Sequence, residues 1–203
     1  MDSLTSQFEQ PPVQFRPVPF WSWNDKLDPE ELRRQIRLMG EAGMGGAFMH
    51  ARLGLETPYL GDEWMECVKA SMEEFSSQGM QAWLYDEDRW PSGDCSKRVM
   101  AENPDFRQKT LEYHLLDRDE LEWTDDTVAV YVAAVEDGIV YDAVRVDALE
   151  ELDQYEVDQV LKITVEHHDY VDVFNAEATR RFIELTHEAY AARFGEAFAD
   201  GRI

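Results

Sequence analysis

The chain has 203 residues, 44% hydrophobic and 12% aromatic, and its 43 acidic residues against 19 basic ones give a formal net charge of −24. The aromatic content argues against a disordered chain. The negative charge disfavours nucleic acids and anionic lipids as partners, because binding to both depends on cationic side chains. A charge of this size also favours a halophilic source, since salt screens the self-repulsion of an acidic surface.

The sequence shows no features of an exported or membrane-spanning chain. Its first residues, MDSLTSQFEQPP, contain no basic segment followed by an apolar one, and no apolar run approaches 18 residues. We therefore expect a cytoplasmic protein with no membrane partner. Two cysteines, Cys67 and Cys95, do not make a disulfide framework in a chain of this length, and we expect free thiols.

Residues 1–16 are predicted to form an extended lead-in, and residues 17–108 to alternate between short strands and helices. The strands are predicted at residues 20–23, 45–50 and 81–85. The first helix has a strong start signal, with Asp28 as N-cap, Pro29 at the first helical position and Glu31 closing a capping box. Short apolar strands that alternate with amphipathic helices predict a parallel sheet with right-handed crossovers.

The hydrophobic period changes to two between residues 109 and 168, which predicts a small antiparallel β insertion. The pair Asp137-Gly138 in this region is typical of a tight hairpin turn. Residues 169–203 are predicted to return as a strand or linker and one helix, capped by Asn175 and ending near Gly195.

Polar and aromatic side chains follow each of the first three strands at its carboxyl end. This edge is where α/β sheets bind ligands. If the three strands run parallel, Asn24, Arg52 and the acidic tripeptide at residues 86–88 share one pocket. The candidate ligand-binding residues at this edge are Trp23, Asn24, His50, Arg52, Asp88 and Trp90.

Three of these segments resemble a known enzyme family. They read FWSWN at residues 20–24, GGAFMHARLGLETPYL at 45–60 and WLYDEDRWPSG at 83–93. Together with residues 173–194, they resemble the start of the catalytic domain of α-L-rhamnosidase-like glycoside hydrolases (glycoside hydrolase family 106). The resemblance extends from about residue 17 to residue 200.

The resemblance implies an α/β fold, a partial (β/α)8 TIM-type barrel with a small antiparallel β insertion. It implies hydrolysis of terminal α-L-rhamnose or a related sugar by two acidic side chains, with a carbohydrate substrate and no certain cofactor, although a Ca²⁺ ion could take part. Family members are much longer and carry a further acidic strand end. We therefore expect this chain to hold an incomplete catalytic domain.

Glu87 and Asp86 are the candidate catalytic carboxylates, and a solvated acidic turn is the competing interpretation. Along an extended strand Asp86 and Asp88 face one side and Glu87 the other, so the second carboxylate of a hydrolase is expected from another strand. The three carboxylates could equally help to bind Ca²⁺, which takes six to eight oxygen ligands. The metal and its ligands stay open at this point.

Two alternatives to a complete enzyme remain. The chain could be a non-catalytic fragment, truncated or half of a split barrel, whose uncovered strands require self-association or a partner chain. It could also be a sugar-binding module that uses the tryptophans and carboxylates without catalysis. Hydrolysis of an aryl rhamnoside by the isolated chain favours the enzyme, whereas binding without turnover favours the module.

Overall fold

Two β-sheets, one parallel and one antiparallel, organise residues 4–203, which a computed structural model describes. The first sheet belongs to a unit that runs through Pro104 and resumes at Val173–Ile203. The second sheet belongs to a unit formed by Asp105–Asp172. Within residues 4–203, no helix has the length and apolar character that a membrane crossing requires.

The first unit contains three strands and six helices among its described residues. The predicted lead-in is not extended throughout, because it contains a short helix; its residues 1–3 lie outside the described part of the chain. In chain order the elements are α1 (Leu4–Glu9), β1 (Phe20–Trp23), α2 (Pro29–Glu41), β2 (Gly46–Ala51), α3 (Asp62–Ser77), β3 (Gln81–Asp88), α4 (Arg98–Glu102), α5 (Ala176–Leu185) and α6 (His187–Asp200).

The parallel sheet has the order β1-β2-β3, and both strand pairs are parallel, as predicted. Close packing of β2 on β3 requires glycine at position 46, because a Cβ atom there would lie 2.1 Å from the Gln81 carbonyl oxygen. Side chains alternate across the sheet. Trp21 and Trp23 are therefore buried on one face of β1, and Phe20 and Ser22 are exposed on the other.

The prediction of a partial (β/α)8 barrel is wrong. The parallel sheet is open and has three strands, and the remaining four strands form a separate antiparallel sheet, so the described residues contain no closed barrel. The alternation of strands and helices is common to open and closed α/β sheets. Closure depends on further parallel pairing at the edge strands, and β3 pairs only with β2 among the described strands.

Helix α2 begins where the sequence predicts. The Asp28 side chain accepts hydrogen bonds from the backbone N–H groups of Glu30 and Glu31, at 3.0 and 2.9 Å. Two of the orphan donors of the first turn are thereby satisfied. Helix α3 buries Trp64, whose indole N–H donates to the Tyr190 hydroxyl of α6 at 3.0 Å. This bond fixes α6 against α3.

The C-terminal helical region differs from the single helix predicted to end near Gly195. The Asn175 cap is confirmed, because its side chain accepts from the N–H groups of Glu177 and Ala178. The helix then breaks at Thr186, where φ is −113° and ψ is −73°. Helix α6 continues past Gly195 and ends at Gly201, whose positive φ of 77° suits a C-terminal cap.

The second unit is a four-stranded antiparallel sheet with the order β4-β7-β5-β6. Asp137 and Gly138 both have positive φ, as a type I′ turn requires, which confirms the predicted hairpin between β5 and β6. A cluster of buried apolar residues, including Val130, Val146 and Val160, forms its core. The strands are β4 (Arg107–Asp117), β5 (Thr127–Glu136), β6 (Ile139–Val146) and β7 (Gln159–Val171).

Candidate functional site

A cavity of about 210 Å³ lies at the carboxyl edge of the parallel sheet. Strands β1 and β2 contribute side chains from the face of the sheet that carries Phe20, since Ser22 is paired in register with His50. The loop after β3 closes the cavity with an indole ring. We call this the strand-end cavity, and it is lined by Phe20, Ser22, His50, Arg52 and Trp90.

His50 links the sheet to the loop that carries Trp90. Its Nε2 atom lies 2.7 Å from the Arg89 carbonyl oxygen, and because a carbonyl only accepts, Nε2 carries the proton and donates. The imidazole is buried, and burial lowers its pKa below the ordinary histidine value. The ring is therefore neutral near pH 7, and it packs against Tyr85 with centroids 4.2 Å apart.

Trp90 and Arg52 have the exposure that a ligand contact requires. The Trp90 side chain is 67% exposed, and Arg52 is half-buried where the chain leaves β2. Asn24 is exposed in the turn after β1 but does not line the strand-end cavity. Gly54 packs closely against the backbone of Asn24, because a Cβ atom on Gly54 would lie 2.7 Å from the Asn24 carbonyl oxygen.

Glu87 is 1% exposed, and its carboxylate is surrounded by backbone N–H groups of the following loop. Oε1 accepts two hydrogen bonds, at 2.8 and 2.7 Å, and Oε2 accepts three, at 2.7 to 3.1 Å. The five donors are the backbone nitrogens of Asp88, Gly93, Asp94, Cys95 and Ser96. Both oxygens are thus engaged in holding the loop.

The loop that surrounds this carboxylate has an unusual backbone conformation. Cys95, Ser96 and Lys97 are three consecutive non-glycine residues with positive φ, a conformation that is strained for L-residues. Burial raises the pKa of the Glu87 carboxyl above its ordinary value, and the N–H donors act in the opposite direction. The same loop holds Asp88, whose Oδ2 accepts from the Ser96 hydroxyl at 2.8 Å.

Asp86 faces a different cavity, of about 540 Å³, which we call the Asp86 cavity. Its Oδ2 lies 3.3 Å from Nε2 of His187, the first residue of α6, and both side chains are partly exposed. The cavity is otherwise largely apolar. Its lining residues are Leu84, Tyr85, Asp86, His187, Tyr190, Ala191 and Phe198.

The hydrogen bonds of Thr186 determine where the His187 ring carries its proton. The Thr186 hydroxyl donates to the Phe182 carbonyl at 2.7 Å, so it can only accept from Nδ1 of His187, 3.0 Å away. With Nδ1 protonated, Nε2 of a neutral ring is an acceptor, and it faces a carboxylate that also only accepts. Two acceptors repel each other, so the contact between His187 Nε2 and Asp86 Oδ2 is attractive only when one of these two atoms carries a proton.

The structure brings together some of the predicted site residues and separates others. His50, Arg52 and Trp90 line one cavity, whereas Asp86 lines another. Trp23 is 2% exposed and packs against Trp64, with ring centroids 4.9 Å apart, so its ring offers no face to a ligand. The β2–β3 register shifts between Met49 and Ala51, and Ala51 pairs with Asp88 of the acidic tripeptide.

The acidic tripeptide does not present the ligand set that a Ca²⁺ ion needs. Asp86 contacts His187, the Glu87 oxygens accept five N–H bonds, and Asp88 accepts from Ser96 and lies 3.7 Å from Arg89. Across the described part of the chain, no group of three or more His, Cys, Asp or Glu side chains is arranged to hold a metal ion.

Phe20 and Ser22 line the strand-end cavity but are absent from the sequence-based candidates. The signal for them is the alternation along β1, which places both opposite the buried tryptophans. The contact of His187 with Asp86 had no such signal, because it depends on how α6 packs against β3.

The fold and site define a mixed α/β protein with a cavity at the carboxyl edge of a parallel sheet. No protein-family model matches the chain, and no curated protein matches it. Among solved structures it is similar to a rhamnosidase from Novosphingobium sp. PP1Y, with 21% sequence identity and a TM-score of 0.47. The match covers 58% of this chain and 12% of the rhamnosidase chain.

Proposed function

We propose that the chain is part of a glycoside hydrolase that acts on terminal α-L-rhamnose or a related sugar, and that the strand-end cavity binds a sugar ring. The observation that carries this proposal is the exposed Trp90 ring beside Arg52, His50 and Ser22 at the carboxyl edge of the parallel sheet. An aromatic face suits the C–H face of a pyranose, and the polar groups suit its hydroxyls.

Of the three carboxylates in the acidic tripeptide, Asp86 best fits the role of general acid, although it lines the Asp86 cavity and not the strand-end cavity. Glycoside hydrolysis requires a carboxylic acid that protonates the leaving-group oxygen as the glycosidic C–O bond breaks, and a second carboxylate that acts as base or nucleophile. Asp86 is partly exposed, and its Oδ2 lies 3.3 Å from Nε2 of His187, a ring nitrogen that can accept and return a proton. Glu87 is less suited to proton transfer, since both of its oxygens accept backbone N–H bonds.

The test combines binding with turnover on the purified chain. Tryptophan fluorescence and calorimetry measure binding of L-rhamnose and neutral hexoses, and 4-nitrophenyl α-L-rhamnoside measures hydrolysis. We expect Trp90→Ala to weaken sugar binding about tenfold, corresponding to about 1.4 kcal/mol. If the isolated chain hydrolyses the aryl rhamnoside, Asp86→Asn should abolish turnover and leave binding intact. Trp123→Ala, in the other unit, is the control and should change neither.

A sugar-binding module without catalysis is the second candidate. It is favoured by the separation of Asp86 from the strand-end cavity and by the engagement of both Glu87 oxygens. Binding that depends on Trp90 with no hydrolysis of any aryl glycoside supports this candidate. The absence of both binding and hydrolysis, in a chain shown to be folded, overturns both candidates.

A further inference from the structure

We propose that the strand-end cavity selects an acidic sugar, a uronic acid, by pairing its carboxylate with Arg52. This inference rests on the proposed function, because it takes a sugar ring to be the ligand of this cavity. Among the related sugars that the proposed function includes, it favours one with a carboxylate at C6 in place of the methyl group of rhamnose. It adds the substrate class and the residue that determines it.

The first observation is the absence of a partner for Arg52. Within residues 4–203, no carboxylate of this acidic chain lies within ion-pair distance of its guanidinium group. Several arginines of the first unit are ion-paired, such as Arg34 with Glu31 at 2.7 Å and Arg193 with Asp62 at 2.6 Å. Arg16 and Arg98 instead donate side-chain hydrogen bonds to the backbone carbonyls of Pro11 and Tyr59, each at 2.8 Å. Arg180 also has no ion pair in this part of the chain, but it is exposed on α5, where water solvates it.

Arg52 lies at a position where the lack of an ion pair has an energetic cost. The residue is half-buried in a cavity that also has Phe20 and Trp90 in its lining, so water solvates its charge only in part. A partly desolvated cation is costly unless an anion pairs with it. The planar guanidinium offers two parallel N–H donors whose spacing matches the two oxygens of a carboxylate.

The other lining groups fit the rest of a uronic acid ring. Phe20 and Trp90 provide aromatic surface, and the Ser22 hydroxyl can donate or accept a hydrogen bond. His50 adds no positive charge near neutral pH, because burial lowers its pKa. The volume of about 210 Å³ lies below the range of about 300–1,000 Å³ typical of drug-sized ligands, which suits a single sugar ring.

The overall charge makes Arg52 decisive for an anionic ligand. A net charge of −24 repels anions at long range, and this repulsion is screened beyond about 8–10 Å at moderate salt. An anion can therefore bind only where a cation is close to it. Among the residues that line the strand-end cavity, Arg52 is the one that carries a fixed positive charge.

The experiment compares matched sugars that differ only at C6. Isothermal titration of the full chain measures binding of D-galacturonate and D-galactose, with L-rhamnose and sodium acetate as further arms. We expect galacturonate to bind at least tenfold more tightly than galactose. Arg52→Gln should reduce galacturonate binding to the level of galactose, Arg52→Lys should keep part of the preference, and Arg180→Gln, the matched control, should have no effect.

Each alternative outcome has a distinct meaning. Equal binding of galacturonate and galactose, or a preference that survives Arg52→Gln, overturns this inference and leaves the proposed function standing. Acetate binding as tightly as galacturonate identifies a simple anion site and also overturns it. Failure of every sugar to bind refutes the proposed function itself. Circular dichroism of each variant verifies that the fold is retained.

Discussion

Replacing Glu87 by glutamine should destabilise the first unit and loosen the loop that follows β3. The wild-type carboxylate accepts five backbone N–H bonds, two at Oε1 and three at Oε2. A glutamine amide can accept at only one of these two positions, and its NH₂ group then faces N–H donors at the other. At least two hydrogen bonds are therefore lost, and their donors stay buried without an acceptor.

The magnitude follows from the number of bonds lost. A hydrogen bond to a charged group contributes about 1.5–3 kcal/mol, so two lost bonds correspond to about 3–6 kcal/mol. The neutral amide avoids the cost of burying a charge, which offsets part of this loss. We expect a net decrease of about 3 kcal/mol in the free energy of unfolding, or about 6–12 °C in melting temperature for a chain of this size.

Thermal melting followed by far-ultraviolet circular dichroism measures this loss. Limited trypsin digestion then locates it, because Arg89, Lys97 and Arg98 are cleavage sites in or beside the loop. The matched control is Glu66→Gln, on the exposed side of α3, which should melt like the wild type. Melting of Glu87→Gln within 1–2 °C of the control, roughly 0.5 kcal/mol by the same scaling, with unchanged digestion, refutes the reasoning.

Four further predictions concern packing, thiol reactivity, pH and salt. Gly46→Ala should prevent the normal pairing of β2 with β3, because its Cβ would lie 2.1 Å from the Gln81 carbonyl oxygen. Gly195→Ala in α6 is the contrasting substitution: its Cβ would meet nothing within 4 Å, and it should stabilise the chain by about 0.5–1 kcal/mol. Thermal melting of the two variants measures the difference. Burial raises the pKa of Cys67 to about 11 and that of Cys95 to about 12. Their thiolate fractions at pH 8 are then about 10⁻³ and 10⁻⁴, so Ellman's reagent should label both slowly in the native chain and rapidly in urea; fast native labelling contradicts the burial argument. The same shifts predict that stability falls as the pH rises above about 9, because the unfolded thiols lose their protons first. Raising NaCl from 0.1 to 1 M should raise the melting temperature, since the screening length falls from about 10 to about 3 Å; a lower melting temperature contradicts the role given to self-repulsion.

Local features of the fold could be predicted because their causes are local. Asp28 and Asn175 cap helices through side chains that reach only two or three residues along the chain. The turn at Asp137 and Gly138 needs two residues that tolerate positive φ, and the sequence provides them. Parallel pairing of the first three strands follows from the helices that connect them.

The features that could not be predicted depend on contacts between distant residues. Whether a βα series closes into a barrel is decided at the sheet edges, and the order β4-β7-β5-β6 is set by pairing across many residues. The engagement of Glu87 requires a strained loop that no residue pattern indicates. By contrast, the burial of Trp23 could have been predicted, because Trp23 alternates with the polar Ser22 along β1 and the two side chains lie on opposite faces of the sheet.

Three tryptophans packed edge to face in the first unit give the protein an internal optical signal. The rings of Trp21 and Trp23 lie 5.4 Å apart at 85°, and those of Trp23 and Trp64 lie 4.9 Å apart at 67°. Indoles at this separation couple their strong ultraviolet transitions, and this coupling contributes circular dichroism bands of opposite sign. The antiparallel unit contains one tryptophan, Trp123, so these bands report on the packing of the parallel sheet against its helices.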